Sequence, residues 1–195
     1  MGLKSYLNKD LIEAGIDESG RGSLSGPVFA ASVIFPKDFT SELIKDSKKL
    51  SEKNRHKALI EIEENALSYS VHMVLEEEID KKNIQNAVFA AMNGSVDKLS
   101  IQPEHLLVDG NIYDPYNDIP YTCIIKGDDK YLSIAAASIV AKVYRDEYMK
   151  KLHEKFPSFH WGKNKGYGSK HHIKVIKEEG ITQYHRKSFL KKILQ

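Results

Sequence analysis

The sequence predicts an α/β fold, a mixed β-sheet covered by helices, and three observations carry that prediction. Three strand-like stretches come early, within residues 14 to 76; two more follow among helical periodicities; and the longest helical pattern comes after all five. Strands that cluster first and then alternate with helices argue for a layered sheet rather than a barrel or a bundle.

The first strand is the apolar Ala14-Gly15-Ile16, which runs into a glycine-rich turn from Asp17 to Ser23. Pro27 to Phe35 is an apolar, partly β-branched run bounded by Gly26 and Pro36, and it predicts a buried strand. A charged helical stretch begins near Ser51, and residues 69 to 76 form the third strand. A helix is expected from about 78 to 99. His105 to Gly110 ends a fourth strand on an acid followed by glycine, and Tyr121 to Lys126 predicts a fifth. From about Tyr131 to Phe156, the residues Ile134, Ala137, Ala141, Tyr144, Tyr148 and Leu152 recur at three- and four-residue steps, the pattern of an amphipathic helix. Lys142, Arg145, Lys150 and Lys151 are expected on its solvated surface, and Pro157 ends it. A basic, aromatic, glycine-bearing loop from Ser158 to Gly168 follows, then helical segments starting near Ser169 and near Gln183.

The chain has 195 residues, enough for one full core, and no linker divides it. Net charge is only +2, so an acidic partner must be met by local clusters of Lys and Arg, which gather after residue 141. A lone cysteine, Cys123, excludes an internal disulfide and a cysteine-based zinc site and fits a reducing compartment. No signal peptide is evident, Tyr6 spoils a myristoylation pattern, and no stretch could span a membrane, so cytoplasmic residence is expected.

Asp17 and Glu18 stand together where the first strand gives way to glycines. Neighbouring strand residues face opposite sides, so both acids reach one site only where the backbone is turning. Gly20 and Gly22 supply that turn and let a ligand approach the backbone, while Arg21 offers a forked cation suited to phosphate. Asp109 ends the fourth strand and Asp128 follows the fifth. An aspartate before glycine is usually a turn former. Its recurrence at strand ends points further, because clustered carboxylates repel one another and are tolerated when a cation neutralises them. Oxygen-only ligands favour Mg²⁺ or Mn²⁺ over zinc. The glycine turn lacks the lysine and hydroxyl of a P-loop, and the histidines lack metalloprotease spacing.

Five separated blocks, in order, resemble bacterial ribonuclease HII, the type 2 ribonuclease H family. They are Gly15 to Gly22, Asp46 to Ser51, Val108-Asp109-Gly110, Lys126-Gly127-Asp128 leading into Ile134 to Val143, and Asn164 to Gly168. The resemblance implies a ribonuclease H-like mixed five-stranded sheet flanked by helices, with a helical C-terminal extension. It implies a single domain whose core covers about 1–156 and whose substrate-contacting extension covers about 157–195. It further implies Mg²⁺- or Mn²⁺-dependent hydrolysis on the 5′ side of ribonucleotides in duplex DNA and within RNA/DNA hybrids, by a monomer. Asp17, Glu18, Asp109 and Asp128 match the family's catalytic, metal-binding acids, whereas the adjacent Asp129 does not. Gly20, Arg21, Gly22 and Tyr167 match the residues that sense the ribose 2′-hydroxyl. Lys48 and Lys49 match phosphate contacts, and Lys163, Lys165 and Lys170, with Trp161 interleaved, are expected along the duplex backbone. Ser19 stands where many relatives carry alanine. The short N-terminus argues against the sister enzyme, ribonuclease HIII. A non-catalytic nucleic-acid-binding module and a resolvase-like nuclease are the alternatives; the four acids speak against the first, and Tyr167 with the glycine turn against the second.

Overall fold

The computed structural model describes residues 2–115 and 117–194; Met1 and Gln195, the ends of the expected domain, and Tyr116 lie outside it. Its sheet has five strands: β1 (Glu13–Ser19), β2 (Val28–Ile34), β3 (Ser68–Val74), β4 (His105–Asp109) and β5 (Tyr121–Ile124). Their order is β3-β2-β1-β4-β5. β1, β2 and β3 pair antiparallel, while β4 runs parallel to both β1 and β5, so the sheet is mixed as expected.

β2 is buried at every position, which explains its unbroken apolar run. Its even residues Val28, Ala30 and Ile34 join Ala14, Ile16, Leu106 and Val108 against helix α3 (Ile84–Asp97). Ala31 and Val33 face the opposite layer, formed by α1 (Glu52–Asn65) and α4 (Leu132–Lys155). Ser51 caps α1 by accepting from the Asn54 amide. A third apolar cluster, around Trp161, Phe159, Val175, Ile176 and Leu190, also takes in Met149 and Leu152 from the end of α4. The C-terminal segment therefore packs on the last turns of α4.

The helix expected over 78–99 is two helices, α2 (Glu76–Lys82) and α3, parted at Asn83, whose φ of +66° no helix can carry. The 158–168 segment is more ordered than a loop. It holds a 3₁₀ turn (Pro157–Phe159) and α5 (Trp161–Asn164). α6 (Lys170–Glu179) starts after its cap Ser169, but the next helix, α7 (Lys187–Leu190), begins later than Gln183. In α4 the buried line runs through Ser138, Ala141, Arg145, Met149 and Leu152, while Tyr144 is exposed. Arg145 is thus interior and not surface. No helix among the described residues is long and apolar enough to cross a membrane.

Candidate active site

Parallel pairing of β1 with β4 matches Ile16 to Val108. One residue further along that register, Asp17 stands beside Asp109, both on the face covered by α4. β1 continues through Asp17 and Glu18 to Ser19, paired with β2, so the two acids end the strand rather than sit in the turn beyond it. They nevertheless border the same cleft, because it opens at the end of the sheet. This cleft, of about 520 Å³, is lined by Asp17, Glu18, the 20–22 turn, Lys48, Asp109 and Tyr167. Ser19, Ser47, Ser138 and Lys142 complete its wall.

Asp128, in the 3₁₀ turn before α4 (Gly127–Asp129), is not among the residues lining the cleft and reaches it only through Lys48, whose Nζ lies 3.3 Å from its carboxylate. That turn is locked to β4, because the Gly127 amide donates to Asp109 Oδ1 at 2.7 Å. A Cβ on Gly127 would lie 2.6 Å from Ile134 Cδ1 and 3.3 Å from that oxygen, so a larger residue there would push the Ile134 side chain aside and crowd the Asp109 carboxylate.

The electrostatics are those of crowded acids. Burial, then the charges of Glu18 and Asp109, hold the Asp17 carboxyl well above the usual carboxylate range. Glu18 is raised by burial, opposed by Arg21, whose guanidinium lies 3.8 Å away. Asp128 is raised by burial and by Asp109, opposed by Lys48 at 3.3 Å. Burial alone would depress Lys48, but Asp128, Asp46 and Asp17 outweigh it and raise its pKa. One flexible ammonium therefore sits within the field of three acids.

The remaining sequence candidates divide. Gly20, Arg21, Gly22 and Tyr167 share the cleft. Lys49 is paired with Asp129, which is partly exposed and apart from the cleft wall. Lys165 is buried, its Nζ donating to the Gly162 carbonyl at 2.6 Å, and it does not line the cleft. Trp161 is fully buried, and its Nε1 donates to His172 Nε2 at 3.1 Å, so it is core and not a wall of the duplex path. Sequence reasoning passed over Lys142 and Ser138 as site residues. Their signal was spacing, since both share a helix face with buried positions of α4.

Hard oxygen donors fit a Mg²⁺- or Mn²⁺-like ion. Among the described residues no three acidic, histidine or cysteine side chains are already gathered as one ion-ligating group.

A mixed sheet with acids at the adjoining ends of its central strands, under a long helix, defines the class of ribonuclease H-like nucleases. The comparisons narrow this. The family model described as ribonuclease HII matches residues 14–192. The ribonuclease HII of Bacteroides thetaiotaomicron is 58% identical over 187 residues, covering 96% of this chain and 94% of that one. The crystal structure of ribonuclease H2 from Pyrococcus horikoshii superposes with a TM-score of 0.79 at 26% identity, covering 93% and 96% of the two chains. The ribonuclease HII in the PCNA complex from Archaeoglobus fulgidus gives 0.76 at 30% identity, covering 91% and 94%. The chain belongs to the ribonuclease HII family, and its enzymatic class is ribonuclease H.

Proposed function

We propose that the chain is a divalent-metal-dependent endonuclease that cuts on the 5′ side of ribonucleotides in duplex DNA, and cuts RNA in RNA/DNA hybrids, leaving 3′-hydroxyl and 5′-phosphate ends. The observation that carries this reading is the convergence on one cleft of Asp17, Glu18 and Asp109 with the Gly20–Gly22 turn and Tyr167. Asp17, Glu18, Asp109 and Asp128 would hold two Mg²⁺ or Mn²⁺ ions. When bound, such ions activate water and neutralise charge on the phosphate and the leaving oxygen.

The chain's own groups account for the rest. The side chain of Arg21 is engaged by Gln85 and Glu18, and the N–H groups of the turn would face a ribose. Backbone amides there can bond the 2′-hydroxyl, the group that separates RNA from DNA. The ring of Tyr167, 40% exposed, lines the same cleft. Lys48, beside Asp128, supplies positive charge for a phosphate, and Lys49 extends that charge at the rim. Lys163 and Lys170 would follow the duplex backbone, with residues from about 157 onward acting as a substrate-contacting extension. The single thiol supports action in a reducing cytoplasm, and the enzyme works as a monomer.

The test is cleavage of a labelled DNA duplex carrying one ribonucleotide, beside an all-DNA duplex, with Mg²⁺, Mn²⁺ or chelator. Metal-dependent cutting only 5′ to the ribonucleotide is expected, and Asp128→Asn should abolish it with folding intact. Tight binding without cutting under any metal would replace this reading with a non-catalytic binding module.

A further inference from the structure

Arg145, interior on α4, bridges two segments that border the cleft. Its Nε donates to the Pro27 carbonyl at 3.0 Å and one terminal nitrogen donates to the Lys165 carbonyl at 2.9 Å. The other donates to Ser23 Oγ at 2.7 Å and to the Ser25 carbonyl at 3.2 Å. Ser23 Oγ passes the contact on by donating to the Gly20 carbonyl at 2.9 Å. The guanidinium also lies 5.4 Å from the centre of the Tyr167 ring. One planar fork thus touches both the turn after β1 and the loop that carries the tyrosine.

The neighbouring backbone is fitted to that fork. A Cβ on Gly20, whose φ is +94°, would lie 1.9 Å from Arg145 Nε, so the arginine passes where no side chain can stand. Leu24 N donates to the Gly166 carbonyl at 2.8 Å, which stitches turn to loop directly. From the C-terminal segment, Arg186 donates to the Gly26 and Arg21 carbonyls, each at 2.9 Å. In a trans peptide the carbonyl and the following N–H point in opposite directions. With the Gly20 carbonyl held by Ser23 and the Arg21 carbonyl by Arg186, the N–H groups of Arg21 and Gly22 point away from these buried partners.

We propose that Arg145 is a specificity-determining positioning residue, whose guanidinium fixes the spacing between the Gly20–Gly22 turn and Tyr167 and thereby sets how sharply the enzyme recognises an RNA-to-DNA junction. This rests on the reading of the turn and Tyr167 as ribose sensors. A lysine keeps the charge but not the fork, and a single ammonium cannot span four acceptors on two segments.

The experiment compares wild type, Arg145→Lys, Ser23→Ala, Tyr167→Ala and the Arg145→Lys/Tyr167→Ala double variant. For each, kcat and KM are measured on a duplex with one ribonucleotide and on a continuous RNA/DNA hybrid, with a Mn²⁺ titration and a thermal melt. Arg145→Lys should lower the ratio of single-ribonucleotide to hybrid kcat by about tenfold, the scale of a sub-ångström misplacement, while the Mn²⁺ midpoint stays put. Because Arg145 acts through the tyrosine and the turn, the double variant should fall within about twofold of Tyr167→Ala alone, well short of additivity. An unchanged ratio in folded Arg145→Lys, or equal losses on both substrates tracking the melt, overturns the proposal. Should Arg145→Lys not fold, Ser23→Ala decides: a lowered ratio supports the relay and an unchanged one overturns it. If Tyr167→Ala itself leaves the ratio unchanged, the ribose-sensing reading fails and the proposal falls with it. If Tyr167→Ala lowers the ratio and Arg145→Lys does not, only the positioning role fails.

Discussion

Gly15→Ala adds one methyl group where β1 meets the start of α4. The new Cβ would lie 2.2 Å from the Ser133 carbonyl carbon and 2.4 Å from the Ile134 nitrogen, both backbone atoms that cannot swing aside. Ordinary contact begins at 3.4 Å, so the helix start must retreat by about 1.2 Å. Overpacking of this kind costs about 1–3 kcal/mol, and a clash with backbone belongs at the upper end. For a chain of this size that lowers Tm by roughly 6–12 °C. The retreat also moves the Asp128 turn and the Ser138 hydroxyl relative to Asp17, and a misplacement near 1 Å costs about 10²-fold in rate. The assay is a thermal melt beside single-turnover cleavage of the one-ribonucleotide duplex, well below the variant's Tm. Wild-type melting and wild-type turnover together would refute the view that the β1–α4 contact sets the site. Gly22→Ala is the matched control: nothing lies within 4 Å of its added Cβ, so its melt should not move even where cleavage drops.

Other substitutions test separate parts of the structure. Asn83→Gly should stabilise by roughly 1 kcal/mol, since glycine relieves a strained positive φ and loses only a few tenths as an N-cap; a lowered Tm would contradict this. Lys48→Met should raise KM for the duplex while shifting stability by less than about 1 kcal/mol, because the lysine end of its ion pair with the buried Asp128 is largely in solvent, and a collapse in Tm would argue for a structural role. His185 is pushed down to about 4, by burial and then by His172. Its Nδ1 accepts from the Thr182 amide at 3.0 Å, so the neutral ring is the one that fits. A folded pKa below the unfolded value means the unfolded chain takes up the proton first. Stability is therefore full above about pH 6.5 and declines as pH falls toward 4, and a flat Tm across that interval would refute the assignment.

Strand positions and acids were legible because their signals are local. An apolar run bounded by Gly26 and Pro36 leaves little but a strand, and acids beside glycine at strand ends mark where a sheet opens. The misread residues carry ambiguous chemistry. Lys and Arg pattern as surface in any helix, yet Arg145 is interior because the carbonyls of Pro27, Ser25 and Lys165 and the Ser23 hydroxyl surround it, which no periodicity encodes. Trp161, set among lysines, reads as a nucleic-acid platform until Phe159, Phe156 and Tyr184 are seen to enclose it. Asn83 breaks a helix through a backbone angle that asparagine tolerates but does not advertise.

The sheet has a temporal side as well. β1, β2 and β3 form an antiparallel meander from nearby sequence, whereas β1 meets β4 only across a long crossover, and such distant pairings form slowly. The hydrogen bond from Arg186 to the Arg21 carbonyl joins residues 165 positions apart. During synthesis the first acids and their glycine turn therefore leave the ribosome long before the strand, the tyrosine loop and the arginine that give them shape. A nascent chain thus carries the carboxylates and their glycine turn before the Arg186 contact that holds the Arg21 carbonyl can form.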